Sequence, residues 1–295
     1  MDATAGGVLE SADETVAVST ESGYKNPLGT VNEGWGEVFM GATMESVLVE
    51  HNDPRLIKYY SKAEGGDIKD EKGNLIIAER NKIAGTYKGV PQGTGVTVKD
   101  ENRYRLHSKS TITKQTDAIL MTAAEVWFLR AEAALRGFTS ENVKDCYEKG
   151  ITVSCQQWGV NVGDYLTSDA TPSDYVDAFE AKYDVKALIK VTPKWDGGAS
   201  PEEQLERILT QKWIACYPEG YEAWTEQRRT GYPQLFKVFV NNSGGAIDTN
   251  IRIRSLPYPS DIQKNNPTQY SALKKALGGE DNGGTRLWWD TGRNF

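Results

Sequence analysis

The chain has 295 residues, a formal net charge of −7, and eight Trp and fourteen Tyr among its residues. This acidic balance argues against nucleic-acid binding, which requires a concentrated basic surface, because Lys and Arg are interspersed with acids along the chain. No apolar run approaches the ~18 residues of a membrane-spanning helix, and the aromatic residues fit either a large irregular core or a sugar-binding surface.

The first 115 residues predict a loop-rich segment with short helices. Residues 1–36 have no clear hydrophobic period, and residues 61–115 are rich in Gly, Lys, Asn, Asp and Thr, which is typical of long loops. The elements predicted in this part are a helix within residues 37–50, a short helix that starts at Pro54, and short strands around residues 75–78 and 96–98.

From residue 116 onward, hydrophobic periodicity and capping residues predict a mainly helical region. Thr122 and Glu125 have the spacing of a capping box, although a start near Asp117 also fits, and Gly137 is a typical C-terminal stop. The predicted helices cover residues 122–136, 140–158, 172–190 (with a break allowed), 201–217, 219–229 and 267–277. The first two, joined by a tight turn, predict a helical hairpin of the tetratricopeptide type.

Three cysteines, Cys146, Cys155 and Cys216, are predicted to be buried free thiols. Cys146 and Cys155 lie in one predicted helix, about 13 Å apart along its axis at ~1.5 Å per residue, which exceeds the ~7 Å limit for a disulfide. Cys216 lies on the apolar stripe of another predicted helix, where a thiol packs as a small apolar group.

The sequence contains no pattern that predicts catalysis, a cofactor or a metal site. Its two histidines, His51 and His107, lie in unrelated contexts, and no nucleophile elbow, phosphate-binding loop or H-E-x-x-H segment is present. The acidic segments 67–70 and 281–284 lack the ~12-residue calcium-loop pattern. We therefore expect no enzymatic activity, although acids are numerous enough for a glycosidase pair, which needs two carboxylates about 5–9.5 Å apart.

Two clusters permit both a functional and a structural interpretation. Within residues 222–229, two Glu and two Arg at helical spacing favour structural ion pairs over an active site, with an Arg stacked on Trp224 or Tyr232. Residues 288–290, Trp-Trp-Asp, are compatible with a sugar platform, but a tail held by two large aromatic anchors is favoured.

Several segments, in order along the chain, resemble the SusD/RagB family of nutrient-binding lipoproteins. The most informative is residues 208–233, in which an amphipathic helix, a Pro-Glu-Gly turn and an aromatic-acidic helix end in Arg-Arg-Thr-Gly-Tyr-Pro. The other segments similar to the family are 52–56 (with Asp-Pro-Arg), 87–93 (with Gly-Val-Pro-Gln-Gly), 120–137, 147–154, 252–259 followed by Asn265, Asn266 and Tyr270, and 288–290.

The resemblance implies a mainly α fold, in which tetratricopeptide-like helical hairpins pack against a loop-rich irregular region with few short strands. We expect residues 1–115 and 116–295 to form one continuous domain. The family's secretory signal, lipidated cysteine and large N-terminal helical portion are not visible, so we expect a C-terminal portion of such a protein. The resemblance also implies an outer-membrane lipoprotein of Bacteroidota that faces the exterior, attached only through a lipid anchor absent from this sequence.

The function implied by the resemblance is the capture of an oligosaccharide or polysaccharide and its delivery to a TonB-dependent, SusC-like transporter. Three alternatives remain: a peptide-binding member of the same family, a helical-repeat scaffold that binds only proteins, and a glycan-degrading enzyme. Exposed aromatics would favour a sugar and an extended polar groove a peptide, whereas a broad apolar patch would favour the scaffold and a carboxylate pair the enzyme.

Sugar binding requires flat aromatic faces and polar side chains on loops that a rigid scaffold supports. The candidate ligand-binding residues are Trp195, Tyr87, Asp196, Gln92, Trp35 and Tyr165. Trp195 and Tyr87 are the main candidates because each is an aromatic residue in loop-like sequence, and Asp196 and Gln92 are their polar neighbours. For each aromatic residue alone, the sequence favours a role as a loop anchor over a ligand contact.

Overall fold

The computed structural model describes residues 7–96 and 102–295. Helices predominate and the strands are short, which confirms the predicted mainly α fold. The helices are α1 (Pro27–Trp35), α2 (Ala42–Leu48), α3 (Leu56–Tyr59), α4 (Ala123–Leu135), α5 (Val143–Gln157), α6 (Pro201–Ala215), α7 (Gly220–Thr230), α8 (Ser260–Asn265) and α9 (Pro267–Leu277). The strands are β1 (Val16–Val18), β2 (Ile68–Lys69), β3 (Leu75–Ile77) and β4 (Ala118–Met121).

The strands form two antiparallel pairs, β1 with β4 and β2 with β3. β3 confirms the strand predicted around residues 75–78, whereas the strand predicted at 96–98 lies largely outside the described residues. A helix start near Asp117 is wrong, because the chain passes through β4 before α4 begins. The pairing of β1 with β4 joins residues on both sides of position 115. The division of the chain into residues 1–115 and 116–295 stays a prediction.

Helices α4 and α5 form the predicted hairpin, and α6 packs against it. Side-chain caps fix both helix starts. The Thr122 hydroxyl accepts a hydrogen bond from the Glu125 N–H at 3.1 Å, and the Asn142 side chain accepts one from the Asp145 N–H at 3.2 Å. Gly137 lies between the helices in the left-handed region, with φ 75°, which is the glycine stop that the sequence predicted.

The core of this helical region contains aromatic side chains and the three thiols. Phe128 on α4 meets Tyr147 on α5 edge to face, with ring centroids 6.2 Å apart, and both rings are fully buried. Cys146, Cys155 and Cys216 are buried and free, as predicted. Burial raises the pKa of each thiol, so the thiols stay protonated at neutral pH and pack as apolar groups.

A buried ion pair connects the loop-rich half of the chain to the helical core. Asp53 is 3% and Arg55 0% exposed, and Arg55 Nη2 lies 2.5 Å from Asp53 Oδ2. The same guanidinium donates to Ser154 Oγ on α5 at 3.0 Å and to Gln211 Oε1 on α6 at 2.8 Å. One arginine at the start of α3 therefore fixes the position of this helix against both α5 and α6.

The helix predicted for residues 172–190 is wrong, because this segment is irregular apart from one 3-10 turn at Ala181–Tyr183. The Asp177 side chain accepts hydrogen bonds from the backbone N–H groups of Phe179 and Glu180, both at 2.8 Å. Such bonds compete with helical ones. Thr171, Pro172 and Asp174 are the residue types of a helix start, and here they do not by themselves make a helix.

Several other boundaries differ from the prediction. α1 was not predicted because residues 1–36 show no clear period, although Asn26 caps this helix and Pro27 occupies its first turn. α2 covers only the second half of the predicted segment 37–50, and α8 was also missed. None of the helices within the two described ranges has the length and apolar character of a membrane-spanning segment.

The C-terminal tail is held by a carboxylate instead of two aromatic anchors. Trp288 is 91% exposed, so the prediction that it anchors the tail is wrong. Asp290 is 4% exposed and forms ion pairs with Arg254 at 2.6 Å and with Arg286 at 2.5 Å. The Arg228 guanidinium lies 5.0 Å from the centroid of the Trp289 ring, so only the second tryptophan contributes to the anchor.

We expect Gly150→Ala to destabilise the protein by about 1–3 kcal/mol, because a Cβ there would lie 2.9 Å from the buried Phe128 ring. Gly34→Ala in α1 is the matched control, since its Cβ would meet nothing within 4 Å and the helix gains up to about 1 kcal/mol. Urea unfolding measures both free energies. Equal effects of the two substitutions would contradict the tight packing of α4 on α5.

Candidate functional site

Helix α7 presents two faces of different character. Gly220, Ala223, Trp224 and Gln227 follow the i, i+3, i+4, i+7 spacing of one helix face, and all four line a cleft. Glu222, Glu226 and Arg229 lie on its other side, where they pair with Lys212 on α6 or Glu132 on α4. One helix therefore connects the core of the protein to a possible ligand site.

The charged side of α7 is held by a buried lysine from α6. Lys212 is 1% exposed, and its Nζ lies 2.7 Å from a carboxylate oxygen of Glu222 and 3.0 Å from one of Glu226. Glu125 on α4 approaches the same ammonium group at 3.8 Å. Arg229 also pairs with Glu226, at 2.5 Å. The Glu226–Arg229 pair confirms the structural ion pairing that the sequence predicted within this helix, whereas Glu222 pairs with Lys212 from α6.

Trp224 forms part of the cleft wall and is fixed by two contacts. The Arg228 guanidinium stacks on its ring, 3.6 Å from the ring centroid, which confirms the predicted arginine–tryptophan contact. The indole N–H donates to the Ile253 carbonyl at 3.0 Å and fastens the loop that follows residue 240 to α7. The ring is therefore rigid where it meets the cleft.

The opposite wall is the loop of residues 241–252, which is braced by its own side chains. Asn241 Nδ2 donates to the Ile247 carbonyl at 2.8 Å and to Thr249 Oγ1 at 2.9 Å. The Ser243 N–H donates to Asn241 Oδ1 at 3.0 Å. The Asn241 side chain thus connects the start of the loop to residues 247 and 249 farther along it. These bonds hold the wall in shape without regular secondary structure.

The space between these walls, which we call the α7 cleft, has a volume of about 610 Å³. Small-molecule sites typically have volumes of ~300–1,000 Å³. The side-chain amides of Gln227 and Asn242 line it and have no hydrogen-bond partner among the described residues. The other lining residues that the structure places here are Gln92, Trp213, Gly220, Ala223, Trp224, Leu235, Val238, Val240, Asn241, Ser243, Ile247, Asp248, Thr249, Arg252 and Ile253.

Gln92 is the predicted site residue that lines the α7 cleft, and its Oε1 accepts a hydrogen bond from Arg252 Nη1 at 2.7 Å. Its backbone carbonyl accepts one from the Phe239 N–H at 3.0 Å. Tyr87, five positions earlier in the chain, is half-buried and packs against the core near α2 and α3. The loop of residues 87–93 therefore places its glutamine, but not its tyrosine, in the cleft.

Trp195 and Asp196 lie elsewhere, beside a second groove of about 620 Å³. This Trp195 groove is also lined by Glu141, Asn142, Val143, Lys144, Gly197 and Gln204. The Trp195 ring is half-buried, with its centroid 5.2 Å from that of Tyr147, and Asp196 is exposed. Trp195 lines this groove, whereas its sequence neighbour Asp196 does not, and Gln92 lies in the α7 cleft instead.

Trp35 and Tyr165 lie in opposite environments. Trp35 ends α1 and is 68% exposed, so its ring is free to meet a ligand. Tyr165 is 5% exposed, and its hydroxyl accepts a hydrogen bond from Gln211 Nε2 at 2.8 Å within the core. The structure thus does not bring the six predicted residues together, and their ligand roles stay predictions.

Sequence reasoning missed Trp224, Gln227 and Asn242 as cleft residues. The spacing of Trp224 and Gln227 places both on one face of α7 and could have indicated a shared surface. The charged residues of the same helix instead indicated a structural role for the whole segment. Asn242 lies in a run of Asn, Ser and Gly that predicted only a loop. The partners of that loop are distant in sequence, so no local pattern indicates them.

Comparison with known proteins identifies the family. The sequence profile described as SusD and RagB outer membrane lipoprotein matches residues 2–290. The chain belongs to the SusD/RagB family. No curated protein matched the chain.

Solved structures of SusD homologues extend this finding to the fold. One from Bacteroides vulgatus is 51% identical with a TM-score of 0.88 and covers 99% of this chain. A chitin-binding SusD homologue from Flavobacterium johnsoniae is 35% identical, with a TM-score of 0.84 and 97% coverage. A third, from Bacteroides thetaiotaomicron, is 33% identical, with a TM-score of 0.82 and 99% coverage. This SusD/RagB chain spans 57%, 56% and 59% of their respective lengths.

Within residues 7–96 and 102–295, no group of three or more His, Cys, Asp or Glu side chains is arranged to hold a metal ion. The carboxylates that converge at Lys212 meet an ammonium group instead. Burial, followed by the neighbouring Glu222 and Glu226, raises the pKa of Glu125 to about 7, although Lys212 opposes the shift. The charge of this cluster in the SusD/RagB scaffold therefore changes near neutral pH.

We expect the Glu125 carboxyl to make stability depend on pH. Its pKa in the folded protein, about 7, lies above the ordinary 4.5. Between pH 4.5 and pH 7, folding is therefore coupled to the uptake of a proton by this carboxyl group. The contribution of this proton to the free energy of unfolding is fully present below about pH 4.5 and is lost as pH rises through about 7. Glu125→Gln should therefore stabilise the protein by about 1 kcal/mol at pH 8 and have little effect at pH 4.5.

Thermal unfolding between pH 4.5 and pH 8 measures this dependence. Glu71→Gln, at a solvent-exposed loop position, is the control that removes the same formal charge outside the cluster. If Glu125→Gln changed stability equally at both ends of this pH range, the assignment of the proton to the Lys212 cluster would be wrong.

Proposed function

We propose that this SusD/RagB protein binds glycans in the α7 cleft and does not cleave them. The observation that carries the proposal is the combination of the rigid Trp224 ring with the unpaired amides of Gln227 and Asn242 in one cleft. An aromatic ring packs against the apolar C–H face of a pyranose, and amides bond to its hydroxyl groups. The description of the similar Flavobacterium johnsoniae protein as chitin-binding supports a sugar as the ligand class.

The composition of the cleft favours binding over hydrolysis. Of its described lining residues, Asp248 alone carries a carboxylate. Hydrolysis of a glycosidic bond typically uses a pair of carboxylates on either side of the scissile bond. The two acids within α7, Glu222 and Glu226, are bound to the Lys212 ammonium group and lie on the far side of the helix.

We propose that the full-length protein is attached to the outer membrane through a lipid and faces the exterior. There it would capture an oligosaccharide or polysaccharide and pass it to a TonB-dependent, SusC-like transporter. The support for this placement is the family, which is described as an outer membrane lipoprotein. Because the chain spans less than two thirds of its structural relatives, the transporter contact is best tested with a full-length protein.

Affinity electrophoresis of the chain through gels with soluble polysaccharides tests the ligand class. The panel includes soluble chitin derivatives, α- and β-glucans and a casein digest as a peptide competitor. We expect at least one polysaccharide to retard the chain and a matching oligosaccharide to reverse the effect. Binding of casein peptides with no retardation by any polysaccharide would instead favour the peptide-binding alternative.

We expect the double variant Gln227→Ala/Asn242→Ala to bind the retarding glycan about 10-fold more weakly or worse, since each lost hydrogen bond contributes about 0.5–1.5 kcal/mol. Neither amide has a partner within the described protein, so unfolding temperature should not change. The variant Trp195→Ala/Tyr87→Ala tests the other predicted residues. If only this second variant lost affinity, the site would lie at the Trp195 groove and our placement would be wrong.

A further inference from the structure

Arg252 brings a positive charge to the α7 cleft and is held in one position there. Its backbone lies in the left-handed region, with φ 63°, and its N–H donates to the Asp248 carbonyl at 2.8 Å. Its Nη1 donates to Gln92 Oε1 at 2.7 Å, and its Nη2 donates to the Phe236 carbonyl. Both side-chain acceptors are neutral, so they orient the guanidinium without balancing its charge.

No carboxylate pairs with Arg252 in the described part of the chain, whereas four other half-buried or buried arginines have such a partner. Arg55, Arg130, Arg229 and Arg254 each form an ion pair with a carboxylate. Burial lowers the pKa of Arg252, because the charge is partly removed from water. A charge that is desolvated without a counter-ion is costly, and an anionic ligand would remove this cost.

The nearest alternatives do not account for this charge. Asp248 lines the same cleft, but its Oδ1 accepts a hydrogen bond from the Asn250 N–H at 2.7 Å and it forms no ion pair with Arg252. Arg228 also has no carboxylate partner among the described residues, but the Trp224 ring covers it and it does not line the cleft. Arg252 is thus the cationic side chain that the cleft offers to a ligand.

We propose that the α7 cleft is selective for an acidic glycan, with a uronate carboxylate or a sulfate group seated on the Arg252 guanidinium. The planar guanidinium has N–H groups left over after its bonds to Gln92 and Phe236, and such groups pair with two oxygens of an acid at once. The Gln227 and Asn242 amides lie in the same cleft and bind hydroxyl groups of the same or the next sugar unit. This inference rests on the proposed glycan-binding function and specifies its substrate class.

The test uses two matched pairs of polysaccharides and isothermal titration calorimetry with the full chain. The first pair is polygalacturonate and its carboxyl-reduced neutral derivative, and the second is a sulfated galactan and its desulfated form. Arg252→Gln removes the charge and keeps hydrogen-bonding capacity. Lys237→Gln is the matched control, because Lys237 is an exposed cation nearby in sequence that does not line the cleft.

We expect the wild-type chain to bind at least one acidic polymer at least 10-fold more tightly than its neutral derivative. A preference within the polygalacturonate pair indicates a uronate ligand, and a preference within the galactan pair indicates a sulfate ligand. Arg252→Gln should abolish the preference, so that the variant binds the acidic polymer and its neutral derivative with equal affinity, whereas Lys237→Gln should retain the preference. The preference should also weaken as salt is raised, as expected for a charge-assisted contact.

Three results would overturn the inference. Equal affinity of the wild-type chain for an acidic polymer and its neutral derivative would remove acidic selectivity and leave the proposed glycan function intact. An acidic preference that survives in Arg252→Gln would place the anion elsewhere. Failure of the chain to bind any polysaccharide, in this test and in affinity electrophoresis, would overturn both the inference and the proposed function.

Discussion

The buried guanidinium of Arg55 is the constraint on which the rest of the structure depends. A guanidinium without water must find an acceptor for its N–H groups, and Asp53, Ser154 and Gln211 supply them from three separate parts of the chain. Burial alone would raise the pKa of Asp53, but the adjacent guanidinium reverses the effect and keeps its pKa below the usual value. Removing one partner would leave a buried charge uncompensated, which is strongly destabilising. The Asp-Pro-Arg segment therefore sets the position of α6.

The position of α6 in turn determines the site. Lys212 follows Gln211 directly in the chain, so the helix that receives Arg55 also presents the ammonium group that collects Glu222 and Glu226 from α7. The side of α7 that lines the cleft is therefore oriented by contacts that lie outside the cleft. Rigid support of this kind reduces the ordering that binding would otherwise require, since side chains already held in place lose little entropy.

The sequence predicted those parts of the molecule in which local signals and tertiary packing agree. Ser200 caps the helix predicted from residue 201, and Gly231 ends the helix predicted for residues 219–229, because capping is a property of a few neighbouring residues. The same type of signal failed at residues 172–190, where Asp177 bonds to nearby backbone N–H groups in a non-helical turn. Tyr165, predicted as a loop aromatic, lies in the core because its hydroxyl meets Gln211, a partner 46 positions away. The α7 cleft was not predicted because its walls are distant in sequence: Gln92 and the loop of residues 241–252 meet only in the folded chain.

The two faces of α7 have a consequence for how this protein can change over evolutionary time. Substitutions at Gln227, at Asn242 or within the braced loop alter the chemistry of the cleft without touching the charged contacts that dock the helix. Substitutions at Glu226 or Lys212 instead disturb the docking of α7 on α6. Sequence variation in the cleft can therefore accumulate on one side of a single helix while the other side stays fixed. A change in the cleft then affects the stability of the protein less than it would if the same residues lined the cleft and docked the helix.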